Sequence, residues 1–278
     1  MRIHLRATAS FVALTSLLLT GCAAAEPPST GSDHADTAMP HVHTIVPAPD
    51  GDGFVLGTHE GLYAATADGQ LGARVGSYDF DAMGLTAVDG TLIASGHPGR
   101  DTPAELGEGN LGIIRSRDGG ATWEAVAFTG EKDFHVLTAG PDGTLYGQGT
   151  GDGLILASTD LGATWAPTGT TLLVFGLAVD ATGRIVAATP DGLRISTDRG
   201  ATFSPLSDAP SLYVIASSPD REGLVGVGTN GAIWSSTTTD PRWQNVGSVH
   251  DSVQAITVTD AGDMLIVDDS GISRLPLD

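Results

Sequence analysis

The sequence predicts an all-β protein, a six-bladed β-propeller of four-stranded antiparallel blades. Three observations support this prediction. A short motif recurs about every 40 residues. The apolar runs are short and bounded by Gly and Asp, without a convincing helical period. The first strands of six successive units can be aligned on one apolar residue each. A repeat of this length, built from short strands, is typical of propellers.

The composition narrows the function classes. The chain has 278 residues, with 33 Asp or Glu against 13 Lys or Arg, and a formal net charge of −20 at pH 7. That length suffices for one large domain or two small ones. Nucleic acid is not an expected partner, because affinity for it comes from Lys and Arg that neutralise phosphates. A strongly acidic surface favours a cationic ligand or a metal ion instead.

The N-terminal residues predict export. Arg2 and Arg6 precede an apolar stretch over 11–19, and Leu19-Thr-Gly-Cys22 follows, with Cys22 the only Cys. This pattern resembles a bacterial lipoprotein signal, in which cleavage occurs before a Cys that receives a lipid. The resemblance implies a signal peptide over 1–21, a lipidated Cys22 and a flexible tether to residue 40. The protein would then lie at the outer face of the cytoplasmic membrane, held by the lipid anchor only. An ordinary signal peptide with an incidental Cys22 is the alternative.

The recurring motif is S-x-D-x-G-x-T-[WF], and we interpret it as a structural hairpin. A carboxylate and hydroxyls within eight residues can satisfy the backbone of a tight turn, while Gly supplies a positive φ. Repetition in successive blades suits architecture better than a single active site. A degenerate fourth copy surrounds Asp240. The motif residues are Ser116, Asp118, Gly120 and Trp123; Ser158, Asp160, Gly162 and Trp165; and Ser196, Asp198, Gly200 and Phe203.

Six units account for the chain from residue 41 to residue 278. One longer spacing is explained by an insertion over 98–110, between the second and third strands of unit two. The last unit ends after its third strand, so we predict that a segment near residues 34–41 completes the sixth blade and removes an exposed edge. The central apolar residues of the aligned first strands are Ile45, Leu85, Leu137, Leu177, Ile215 and Ile256.

The same alignment predicts two rings of side chains around the central channel. In a strand, residues i and i+2 point to the same side, about 6.6 Å apart. The ring two residues before the central position contains His43, Met83, His135, Phe175, Tyr213 and Gln254. The ring a further two residues earlier contains His41, Asp81, Asp133, Leu173, Ser211 and Ser252. The polar members fall in blades one to three, so one sector of the channel mouth is the expected site.

Imidazole and carboxylate together are the ligand set of zinc, copper and non-haem iron sites. We predict a metal site, for zinc or copper, at His41, His43 and His135. His59 and His97, from the turns after the second strands of blades one and two, and Tyr213 are predicted to bind ligand. Asp81 and Asp133 are candidate catalytic carboxylates. The alternative for the whole group is a polar channel lining without metal.

The repeated motif resembles the Asp-box, or BNR repeat, of sialidase-like β-propellers. The His-x-His opening, S-G-H-P at 95–98 and D-F-H at 133–135 are similar to small exported bacterial proteins labelled sialidase-like or glycosyl hydrolase-like. This resemblance covers residues 41–278 and implies the fold more firmly than a function. Sialidases bind the substrate carboxylate with three Arg, whereas the Arg residues here lie at the motifs and outer strands. A true sialidase is therefore not expected.

Three functions remain open. The favoured one is a surface lipoprotein, monomeric, that binds a small ligand, metal or glycan without turnover. The alternative is a glycoside hydrolase of non-sialidase type with Asp81 and Asp133 as acid and base. A protein-interaction scaffold is the third, and a large exposed apolar patch would distinguish it.

Overall fold

The computed structural model describes residues 39–277, which form a six-bladed β-propeller. The predicted signal peptide, Cys22 and the tether up to residue 38 lie outside the described residues. Each blade is an antiparallel meander in chain order, with four strands in the first five blades and three in the sixth. The first strands of neighbouring blades contact one another in a closed ring, so they line the central channel.

The first three blades contain twelve strands and the insertion. Blade one consists of β1 (Val42–Pro47), β2 (Phe54–Thr58), β3 (Gly61–Ala65) and β4 (Leu71–Val75). Blade two consists of β5 (Asp81–Val88), β6 (Thr91–His97), β7 (Ile113–Ser116) and β8 (Glu124–Ala127). Blade three consists of β9 (Phe134–Ala139), β10 (Leu145–Gly149), β11 (Leu154–Ser158) and β12 (Ala166–Thr171). As predicted, the insertion separates β6 from β7, and it contains a short 3₁₀ turn (Ala104–Leu106).

The last three blades follow the same order. Blade four consists of β13 (Gly176–Val179), β14 (Ile185–Thr189), β15 (Gly192–Ser196) and β16 (Ser204–Pro205). Blade five consists of β17 (Leu212–Ser217), β18 (Gly223–Gly228), β19 (Ala232–Thr237) and β20 (Gln244–Ser248). Blade six consists of β21 (Val253–Val258), β22 (Asp263–Asp268) and β23 (Gly271–Pro276). Within residues 39–277, no helix is long and apolar enough to cross a membrane.

The ring closes where blade six packs on blade one. Leu56 and Leu265, both fully buried, belong to one apolar cluster between these blades. The Val42 N–H donates to Gln254 Oε1 at 2.7 Å across the same boundary. Residues 39–41 do not form the predicted closing strand, although Met39 packs against the cluster, and the rest of that segment lies outside the described residues. Apolar packing and one hydrogen bond therefore join blade six to blade one.

The repeated motifs form the turns between the third and fourth strands of blades two, three and four. In the second copy, Ser158 Oγ donates to Asp160 Oδ1 at 2.8 Å and accepts the Gly162 N–H at 3.0 Å. Hydrogen bonds from the Thr164 hydroxyl and N–H lower the pKa of Asp160 to about 2. The other two copies have the same bonds. These carboxylates are therefore occupied by the hairpins themselves, as the structural interpretation requires.

The fourth copy is built differently. Here Asp240 accepts hydrogen bonds from the Arg242 guanidinium at 2.8 and 2.6 Å. An ion pair thus replaces the hydroxyl network of the three regular copies.

The aligned aliphatic residues form the waist of the channel. All six line both the cavity of about 630 Å³ at one end of the channel and the cavity of about 440 Å³ at the other. The first strands begin at the larger cavity, which we call the channel mouth. The six aliphatic residues form its apolar base.

Candidate functional site

The predicted inner ring lies at the channel mouth. All six of its members line the larger cavity, as the repeat alignment predicts: His43, Met83, His135, Phe175, Tyr213 and Gln254. His41 and Ser252, from the second predicted ring, line the same cavity.

Strand bulges coincide with the inner ring. In five blades the pairing of the first and second strands shifts at the ring residue, which has no partner opposite it. A bulge inserts one unpaired residue and changes the direction of nearby side chains. The prediction of a second ring at the mouth is wrong for four of its members, Asp81, Asp133, Leu173 and Ser211, whereas His41 and Ser252 line the cavity although equivalent bulges follow them. These two carboxylates are not among the lining residues of the mouth cavity, and each contacts a His of the preceding blade.

The first of these contacts lies between blades one and two. His43 Nε2, His59 Nδ1 and Asp81 Oδ1 approach one another, with pairwise distances of 3.2, 3.1 and 2.9 Å. The His41 ring stacks on the His59 ring, with centroids 5.0 Å apart. The ligand atoms of the three imidazoles all lie within 4.8 Å of one another. We call His41, His43, His59 and Asp81 the first His cluster.

The first His cluster contains one buried oxygen without a hydrogen bond, although His43 Nε2 and His59 Nδ1 lie at hydrogen-bond distance from each other. Asp81 Oδ1 is buried and has no hydrogen-bond partner of suitable geometry, although two ring nitrogens lie close to it. Burial lowers the pKa of His43 to about 4, against the opposing effect of Asp81 and with further lowering by His59 and His41. His43 is therefore neutral at pH 7 and does not form an ion pair with Asp81. Buried polar atoms normally have a hydrogen-bond partner, so the unpaired Asp81 Oδ1 is an exception. A cation beside this oxygen would supply the missing interaction.

The second contact lies between blades two and three. Asp133 Oδ2 contacts His135 Nε2 and lies 3.4 Å from His97 Nε2, while Asp133 Oδ1 accepts from Thr150 Oγ1 at 2.7 Å. The Asp133 side chain is only 3% exposed. Burial raises the pKa of Asp133, but the Thr150 hydrogen bond and the nearby His135 outweigh it, so this pKa lies below its usual value. We call His97, Asp133 and His135 the second His cluster.

The insertion of blade two holds His97 in place. Its Gly109 carbonyl lies 3.1 Å from His97 Nδ1, and Leu111 N–H donates to Gly96 O at 2.8 Å beside it. The sequence alignment could locate this insertion but not its contact with the imidazole.

The grouping of the predicted ligands differs from expectation. His135 belongs with His97 and Asp133, and not with His41 and His43. The two clusters share one pattern, in which a His at the end of the second strand of a blade contacts an Asp at the start of the next blade. The pairs are His59 with Asp81 and His97 with Asp133. Aligning each turn His with the ring position of the following blade is the sequence signal that would have revealed these pairs.

Tyr213, a predicted ligand-binding residue, has a structural partner. The Tyr213 hydroxyl accepts from Val253 N–H at 3.1 Å and lies 3.3 Å from Val253 O, so it links blades five and six while its ring lines the mouth. Asp81 and Asp133 each contact imidazoles, and they do not face each other across the mouth cavity. This arrangement offers little support for a pair of glycosidase carboxylates.

Comparison with known proteins identifies the fold only. No protein-family profile and no curated protein matches the chain. A GH74 enzyme from Niastella koreensis is 19% identical with a TM-score of 0.59, over 87% of this chain and 38% of that one. An extracellular domain from B. thetaiotaomicron, described as part of a hybrid two component system, is 15% identical with a TM-score of 0.56, over 87% and 32%. YCF48 bound to D1 peptide is 15% identical with a TM-score of 0.51, over 86% and 83%.

The chain thus spans about a third of the length of the GH74 and two-component structures that it resembles. At such low identities, the likeness establishes a shared propeller architecture and carries no residue roles.

Proposed function

We propose that the protein is an exported metal-binding propeller that holds one transition-metal ion, zinc or copper, at the first His cluster. The observation that carries the proposal is the convergence of His43 Nε2, His59 Nδ1 and Asp81 Oδ1 on one point. Three candidate ligand atoms from two blades meet there, and one of them, the buried Asp81 Oδ1, has no hydrogen-bond partner.

The distances support coordination. Ligand atoms at 2.0–2.1 Å from a tetrahedral zinc ion lie about 3.3 Å from one another. The three donor atoms are 2.9, 3.1 and 3.2 Å apart, so an ion would enter with a shift of a few tenths of an ångström. His41, stacked on His59, is the candidate fourth ligand.

The electrostatics point the same way. Because the pKa of His43 is about 4, its imidazole keeps a free electron pair at neutral pH, as a metal ligand requires. The single carboxylate of Asp81 and the net charge of −20 both favour a cation. A mixture of imidazole and carboxylate ligands suits zinc, copper or iron better than calcium or magnesium.

The direct test is metal binding by the full-length chain, purified without a His tag and stripped with a chelator. We expect zinc and copper titrations to reveal a tight site that weakens at least 100-fold in the double variant His43→Gln/His59→Gln, since even second-shell changes cost about 10–100-fold. His250→Gln is the matched control, because His250 is an exposed His outside both clusters. Equal affinity in the wild type and the double variant would overturn the proposal.

Anchoring through Cys22 belongs to the same proposal, because a tethered metal binder would act outside the cytoplasmic membrane. We expect the wild-type chain to fractionate with membranes in a bacterial host and Cys22→Ser to appear in the soluble fraction. Soluble wild-type protein would instead favour an ordinary signal peptide.

A further inference from the structure

We propose that the second His cluster is a separate metal site, so that the protein binds two ions at neighbouring blade junctions. His97, Asp133 and His135 each offer a ligand atom, and these atoms lie within 4.8 Å of one another. Both His97 Nε2 and His135 Nε2 face Asp133 Oδ2. None of these residues takes part in the first His cluster, so the two sites stand or fall separately.

The tautomer of His97 carries the argument. The Gly109 carbonyl has no proton to give, so its 3.1 Å contact with Nδ1 is a hydrogen bond only if Nδ1 bears the ring proton. With Nδ1 engaged by the Gly109 carbonyl, Nε2 is the ring nitrogen that faces Asp133 Oδ2, 3.4 Å away. A cation between these two atoms would bond to both of them. The separation matches the edge of about 3.3 Å expected between zinc ligands.

The surroundings of the cluster are those of metal ligands. Coordinating His residues usually donate the other ring N–H to a carbonyl or carboxylate, and coordinating carboxylates are themselves hydrogen-bonded. The Gly109 carbonyl fills the first role for His97, and the Thr150 hydroxyl fills the second for Asp133. At His135, the ion would displace the proton of the hydrogen bond between Nε2 and Asp133, and that proton would be released to solvent.

The cluster is also accessible. The side chains of His97 and His135 are 42% and 48% exposed, whereas Asp133 is buried beneath them. Two imidazoles and one carboxylate leave coordination positions open to solvent or to a ligand, as in other two-His, one-carboxylate centres. The expected occupant is thus zinc, copper or ferrous iron with exchangeable ligands.

Blade geometry places this site beside the first one. Asp81 of the first cluster and His97 of the second are directly paired residues on β5 and β6. Residues paired in this way have Cβ atoms about 5 Å apart. The β5–β6 pair therefore supplies one ligand to each ion.

The test is the stoichiometry of zinc bound to the full-length chain, measured by calorimetric titration and by elemental analysis after dialysis. We expect two equivalents in the wild type and one in His97→Gln, in which His43, His59 and Asp81 remain to bind the other ion. His97 is chosen because its partial exposure makes the substitution compatible with folding. Glu105→Gln, an exposed change in the same insertion, is the matched control and should retain two.

The outcomes separate this inference from the proposed function. A wild type that binds one ion, lost in His59→Gln and kept in His97→Gln, overturns the second site alone. One ion lost in His97→Gln and kept in His59→Gln supports the second site and overturns the first. Two ions in both the wild type and His97→Gln overturn the assignment to His97, and no bound ion overturns both proposals.

Discussion

The two blade junctions that carry the His clusters combine the same residue types but hold their carboxylates differently. Asp133 is 3% exposed and accepts a hydrogen bond from Thr150. Asp81 is 23% exposed, and its buried Oδ1 has no hydrogen-bond partner. The difference teaches that a hydroxyl hydrogen bond holds one carboxylate, whereas only imidazole contacts hold the other, so the proposed ion should matter more to Asp81 than to Asp133.

The second strands of the two junctions also differ in whether a side-chain hydrogen bond joins the neighbouring blades. At the second junction, the buried Ser95 hydroxyl accepts the Phe134 N–H at 2.8 Å and donates to Gly112 O at 2.5 Å. The first junction has Gly57 at the equivalent place. A Cβ there would lie only 2.7 Å from Thr44 Cγ2 and 3.0 Å from Ala82 O. One junction is joined by a hydroxyl, and the other by close backbone packing.

The largest expected effect is the loss of metal-induced stabilisation at the first junction. An ion that binds only the folded state adds about 2.7 kcal/mol to the free energy of unfolding at a free concentration 100 times its Kd. In Asp81→Asn we expect the share of the gain that comes from the first site to disappear, while the share from the second site remains, as measured by denaturant unfolding with and without saturating zinc. An undiminished gain in Asp81→Asn would remove Asp81 from the site.

A smaller effect is expected when each carboxylate is removed from the metal-free protein. Asp133→Ala should lower the free energy of unfolding by about 2 kcal/mol, because it leaves the Thr150 hydroxyl and His135 without their acceptor. Asp81→Ala should change it by less than about 0.5 kcal/mol, because no hydrogen bond is lost. The free energy of unfolding of both variants is measured in chelator-treated samples. Equal losses would show that the two junctions do not hold their carboxylates differently.

The hydroxyl beneath the second cluster should contribute somewhat less. Ser95→Ala leaves the buried Phe134 N–H unpaired and should cost about 1.5 kcal/mol in urea unfolding. Ser95→Cys keeps a side chain of similar size and is the control for lost volume. If Ser95→Ala is as stable as the wild type, this bond does not hold the second junction.

The smallest effect concerns a carboxylate that needs no ion, that of Asp160 in the turn motif. Its pKa is about 2 when folded and 3.8 ordinarily, so ionised Asp160 stabilises the fold above pH 4, and this contribution is lost as the pH falls towards 2. Asp160→Asn should therefore be less stable than the wild type at pH 7, by less than about 1 kcal/mol because solvent screens the charge. The difference should shrink between pH 4 and pH 2 in thermal unfolding, and a constant difference would assign it to geometry instead of charge.

Much of the candidate site could be predicted because the repeat makes positions equivalent. Aligning Ile45 with its five counterparts placed His43 and His135 at the channel mouth, where the structure has them. Their partners could not be assigned in this way. The alignment compares positions within single strands, whereas Asp81 and Asp133 contact His59 and His97 of the preceding blades.

The sequence by itself determined the propeller, its turn motifs and the ring of residues at the mouth, because strand periodicity and repeat length act within one blade. The tertiary structure alone decided which side chains meet. The carboxylate, the turn His and the insertion carbonyl come from separate segments, and only the packing of one blade on the next brings them within bonding distance. That packing divides the predicted single group of ligands into two His clusters, with Asp81 in one and Asp133 in the other.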